Sequence, residues 1–92
     1  VPRPGRRLAA SDLMAAGALD VLREHGRRVP DDVAVVGFDD LTEIAESTDP
    51  PLTTVHQDVA EMGRLLARLL FDPATEPAAV VVPTRLTVRA SA

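Results

Sequence analysis

The chain has 92 residues, a formal charge of −4, no cysteine and no lysine, and all ten of its cations are arginine. A chain of this size supports one thin core, burying about 60–65% of its unfolded surface. Its balance of 46% hydrophobic to 26% charged residues is that of a folded domain, not a disordered one. Disulfides, thiolate metal sites, a phosphate-binding or Schiff-base lysine and a basic nucleic-acid footprint are excluded within it. No apolar run approaches the roughly 18 residues of a membrane span, and the lack of cysteine fits the cytosol.

Residues 1–7, VPRPGRR, read as an irregular lead-in, and their Val start without a signal pattern reads as trimmed or internal. Leu8-Ala9-Ala10 reads as the tail of a short strand. Ser11-Asp12 then offers a helix cap, because a side-chain oxygen there accepts from the free amides of the first turn. Met14, Ala18, Val21 and Leu22 follow at helical spacing, and Gly26 stands where helices end, so the spacing predicts a helix over 12–25. Val29-Pro30-Asp31-Asp32 is turn chemistry. The apolar run Val33 to Val36 lacks polar alternation, which predicts a strand over 33–37 covered on both faces, with Phe38 packed inward.

Residues 41–51 read as loop with one helical turn near 42–46, and 52–55 as another short strand. Asp58-Val59-Ala60-Glu61 has the form of a capping box. Val59, Met62, Leu66 and Leu69 line one face of the helix that follows, widened by Leu65 and Leu70, and Asp72-Pro73 stops it. Residues 79–83 and 86–89 read as two strands split near Pro83. Strands alternating with helices predict an α/β architecture, a parallel sheet flanked by helices.

In such a sheet, ligands gather outside the carboxyl ends of the strands. Ser11-Asp12 and Asp39-Asp40 both lie just past strand ends, and if those strands are neighbours their tips share one crevice. Alternatively, the acids merely cap the next turn and face water. His56 lies between a strand and a helix, with no serine or acid fixed beside it by sequence, and the two histidines have no metal-site spacing. No cofactor is implied. With only Phe38 and Phe71 aromatic, the chain offers little to stack on a sugar or base.

Three stretches, 10–41 (ASDLMAAGALDVLREHGRRVPDDVAVVGFDDL), 49–70 (DPPLTTVHQDVAEMGRLLARLL) and 80–91 (VVVPTRLTVRAS), together resemble the C-terminal part of a LacI/GalR-family transcriptional regulator. The resemblance covers residues 8–92 and implies part of an effector-binding core of the periplasmic-binding-protein-like type. It also implies a DNA-binding headpiece outside this chain, through which operator DNA is bound. Carried onto this sequence, it implies Ser11, Asp39 and Gln57 as contacts of a small polar, sugar-like effector, with Asp12, Asp40 and Asp58 as weaker contacts. Asp39 is the implied acceptor, since a carboxylate accepts several hydroxyl or N–H bonds. Gln57 and Asp58 fall where the family's chain crosses between its two subdomains.

The resemblance further implies dimerisation through the helix after Ser11-Asp12, where Met14, Ala15, Ala16 and Ala18 serve equally well as interface or as core. Self-association of the fragment, a cytoplasmic location and no membrane or enzymatic role complete that reading. Two departures stand out: Pro4-Gly5-Arg6-Arg7 interrupts the family's first apolar strand, and Val59 replaces an aromatic found in some members. Two alternatives remain open, a sugar-binding protein of a transport system and a hydrolase using Asp39, Asp40 and His56.

Overall fold

The computed structural model describes residues 6–72 and 81–92. Its elements in chain order are β1 (Arg6–Ala9), α1 (Asp12–Glu24), β2 (Val33–Asp39), α2 (Thr42–Ala45), β3 (Thr53–His56), α3 (Val59–Phe71) and β4 (Arg85–Thr87). The four strands form one sheet in the order β1-β2-β3-β4. The first three run parallel, and β4 returns antiparallel to β3.

Helices α1 and α3 each start where a side chain relieves the free amides of the first turn, whereas the short α2 has no side-chain cap. The Ser11 hydroxyl accepts from the Met14 amide at 3.3 Å, and Asp58 Oδ1 accepts from the Glu61 amide at 2.9 Å. Gly26, at φ +69°, turns the chain out of α1 and lets the Arg27 amide reach back to the Leu22 carbonyl at 2.9 Å. The core lies on one face of the sheet, where Ala15 and Leu19 of α1 pack with Val35, Ala45 and Leu52. Residues 89–92 close it from the far end. Ser91 is fully buried, its hydroxyl donating to the Val35 carbonyl at 2.6 Å and accepting from the Thr53 amide at 2.8 Å.

Several boundaries move relative to the sequence reading. The first strand begins at Arg6, inside the stretch read as an irregular lead-in; residues 1–5 lie outside the described residues. The second strand runs on to Asp39, because Phe38 and Asp39 find register partners in Val55 and His56. Of the strand expected over 79–83, positions 79 and 80 lie outside the described residues, and 81–83 are not strand. The last strand is antiparallel, not parallel.

Coverage of the sheet also differs from expectation. Both α1 and α2 contribute to the same core cluster, so the helices that pack on the sheet do so from one side. On the other side Phe38, Val55 and Leu86 stand in one cross-strand row. Phe38 is half-exposed there, not packed inward, and Leu86 is exposed. An unbroken apolar run signals burial of both strand faces, but a neighbour for the second face must come from elsewhere. Helix α3 is not that neighbour, since none of its residues is buried.

Candidate functional site

Because β1 and β2 are adjacent and parallel, with Ala9 opposite Val36, their carboxyl ends open at the same edge of the sheet. Ser11 follows one end and Asp39 closes the other. The third strand ends beside them, placing His56 opposite Asp39 and Gln57 just beyond. The strand ends read from the sequence as possible neighbours therefore lie at one edge of the sheet.

The two acids at the end of β2 have different surroundings. Asp39 and Asp40 both take positive φ, +108° and +53°, a conformation that side chains rarely adopt and that needs support from around it. Asp39 Oδ1 accepts from Gln57 Nε2 at 2.6 Å, while its Oδ2 has no protein partner among the described residues. Asp40 turns inward, and its side chain keeps only 8% of its exposure. One of its oxygens accepts from Arg89 Nη2 at 3.0 Å; the other meets His56 Nδ1 at 3.0 Å and the Thr87 hydroxyl at 3.3 Å. Burial by itself raises this carboxyl's pKa, but the bonds from Arg89 and His56, the Arg89 charge and the Thr87 hydroxyl outweigh it and hold it below the usual range.

Asp12 is fully buried. Its Oδ1 accepts from the Thr54 hydroxyl at 2.6 Å and its Oδ2 from the Leu41 amide at 2.5 Å. The same Thr54 oxygen accepts from the Asp40 amide at 3.3 Å. Gly37 leaves the room this cluster occupies, since a Cβ at that position would overlap Asp12 Oδ1 and the Leu52 side chain.

Of the six implied contact residues, the geometry brings Asp39 and Gln57 into direct contact and sets Ser11 at the same edge. Asp12 and Asp40 are more enclosed than Asp39: Asp12 is fully buried, Asp40 is largely shielded, and in each both oxygens already accept from protein donors. Asp58 is exposed and spends one oxygen on capping α3. Among the implied interface residues Ala15 takes the core side of the open alternative. It is fully buried in the core, and only Met14, Ala16 and Ala18 reach the surface. Residues not singled out by the sequence prove central: Thr54, Thr87 and Arg89 hold the acids from 14 to 49 positions away. No local pattern marks them, because their partners meet only when the sheet forms.

The His56–Asp40 contact is one element of a carboxylate–imidazole base. However, Asp40 is shared with Arg89 and Thr87, Asp39 faces Gln57, and among the described residues no hydroxyl bonds the His56 ring. Of the three residues of the hydrolase reading, Asp40 and His56 are in contact, while Asp39 is bonded to Gln57 instead. Among the described residues no group of three or more acid or histidine side chains is placed to hold a metal ion, and no helix is long and apolar enough to cross a membrane.

Comparison with known proteins identifies the family and the fold. Residues 4–92 fit the model of a periplasmic binding protein-like domain. The chain is 56% identical over 87 residues to the HTH-type transcriptional regulator CelR of Thermobifida fusca, an alignment covering 90% of this chain and 25% of that protein. A solved transcriptional regulator CelR–cellobiose complex superposes with a TM-score of 0.78 at 48% identity, over 99% of this chain and 28% of the other. The LacI family transcriptional regulator CCPA of Weissella paramesenteroides, with bound sucrose, does so with a TM-score of 0.83 at 34% identity, over 99% of this chain and 33% of the other. The chain thus spans about a quarter to a third of the length of these relatives. With a family model covering nearly every residue and regulators of one type among its relatives, the chain belongs to the periplasmic-binding-protein-like domain family, in the branch found in LacI/GalR-type transcriptional regulators.

Proposed function

We propose that this chain is an effector-sensing part of a bacterial transcriptional regulator, binding a sugar-like ligand at the edge formed by Ser11, Asp39 and Gln57. The observation that carries the proposal is the free half of Asp39. Its Oδ1 is held by Gln57, its Oδ2 has no donor among the described residues, and among these the Ser11 hydroxyl, which accepts from Met14, has no acceptor for its proton. A spare anionic acceptor beside a spare hydroxyl donor suits a polyol, whose hydroxyls both give and take hydrogen bonds. The sugars bound in two similar regulators, cellobiose and sucrose, are of this class.

On this reading the protein works in the cytoplasm, and ligand occupancy alters operator binding by a headpiece outside this chain. A homodimer forms through the side of α1 that faces α2. There Ala16, Ile44 and Ser47 line an open groove of about 350 Å³. Calorimetric titration of the full-length protein with cellobiose and with sucrose tests the ligand assignment. Saturable binding of either, lost in Asp39→Ala, is expected. Equal affinity in Asp39→Ala and wild type, or no binding of either sugar, overturns it.

A further inference from the structure

A buried carboxylate needs hydrogen-bond donors in place of water, and Asp12 finds one for each oxygen by joining three separate elements. It is the first residue of α1, immediately after Ser11. Through Oδ2 it holds the Leu41 amide, and through Oδ1 and the Thr54 hydroxyl it reaches the Asp40 amide. Those are the two backbone donors immediately following Asp39. They belong to the turn in which Asp39 and Asp40 are kept at positive φ. An unsupported turn of that kind relaxes toward ordinary backbone angles, and Asp39 would swing with it.

We infer that Asp12 is a positioning residue of the effector site: it sets the spacing between Ser11 and Asp39 by clamping the start of α1 to the 39–41 turn, without touching the ligand. The inference rests on the effector-binding reading above. Its physical basis is that a ligand-binding group is only as well placed as the buried contacts behind it. Asp12 works through three partners with distinct chemistry. Thr54 supplies a hydroxyl that both donates and accepts, Leu41 supplies a backbone amide, and Gly37 supplies space where any side chain would displace the carboxylate.

The test uses the full-length protein and whichever of cellobiose or sucrose it binds, with affinity measured by calorimetry and stability by urea unfolding. Asp12→Asn and Thr54→Val should each weaken binding roughly tenfold or more while circular dichroism stays that of a folded protein. Thr54→Ser keeps the hydroxyl and should bind within about twofold of wild type. A merely structural role would shift the urea midpoint in all three and leave the affinity of the folded protein unchanged. Should Asp12→Asn fail to fold, the Thr54→Val and Thr54→Ser pair carries the comparison. Wild-type affinity in Thr54→Val, with binding lost in Asp39→Ala, overturns the positioning role and leaves the effector site standing. Wild-type affinity in Asp39→Ala overturns the effector site itself.

Discussion

Helices α1 and α3 are a matched pair with opposite fates. Both have 13 residues and both are capped by a side chain, Ser11 in one and Asp58 in the other. Of the two, α3 is the more amphipathic, with an apolar stripe running from Val59 to Leu70. Yet α1 buries Asp12, Ala15 and Leu19, while α3 buries nothing and leaves Leu66 and Leu70 mostly exposed. A helical pattern and a good cap decide that a helix forms and which face is apolar. They do not decide whether anything lies against that face.

The contrast can be broken or sharpened by substitution. Leu19→Ala, in the centre of the core, should destabilise the protein by about 3 kcal/mol, read as a lower urea midpoint. A change near zero would mean the core is not centred on α1. Arg89→Ala should cost about 2 kcal/mol, because it withdraws the cation from the nearly buried Asp40 and leaves His56 and Thr87 as its partners.

That pair also has a pH signature. Asp40 is held below its usual pKa in the folded protein, so its stabilisation is present above the unfolded carboxyl's pKa of about 3.9 and is lost as pH falls through the lower folded value. Urea midpoints compared between pH 7 and pH 3 should therefore converge for wild type and Arg89→Ala. Parallel acid loss in both proteins would show that the Arg89–Asp40 pair does not govern acid stability. Asp58→Ala should remove about 1 kcal/mol from α3 alone, visible as reduced helical circular dichroism with the Leu19-centred core intact. Smallest of all, Leu66→Ala should change the stability of the sheet and α1 by less than about 0.5 kcal/mol. A loss as large as that of Leu19→Ala would show that α3 packs against a partner after all.

The same division runs through the site. Asp39 and Asp40 are adjacent in sequence and chemically identical, and the resemblance singled out the first as the acceptor on the family's pattern. What separates them physically is Arg89, 49 positions away, and Thr87, 47 positions away, arriving on a strand that returns antiparallel. Phe38 shows the reverse case. An apolar neighbourhood argues for burial, yet its row faces a side of the sheet that α1 and α2 do not cover. Ala15 and Ala16 differ by one position, and the helical turn alone sends one into the core and the other to the α1–α2 groove.

Local chemistry was enough to determine most of the element types, the caps at Ser11 and Asp58, the turn at Gly26 and the placement of acids at a strand end. Each of these depends on backbone donors, side-chain size or φ preference within a few residues. Tertiary structure alone decided that Asp12 is buried against Leu41 and Thr54, that Asp40 bonds Arg89 and His56, and that Asp39 is held through one oxygen by Gln57. Those outcomes depend on which strands become neighbours, and a buried charge takes its role from partners that proximity in sequence does not specify.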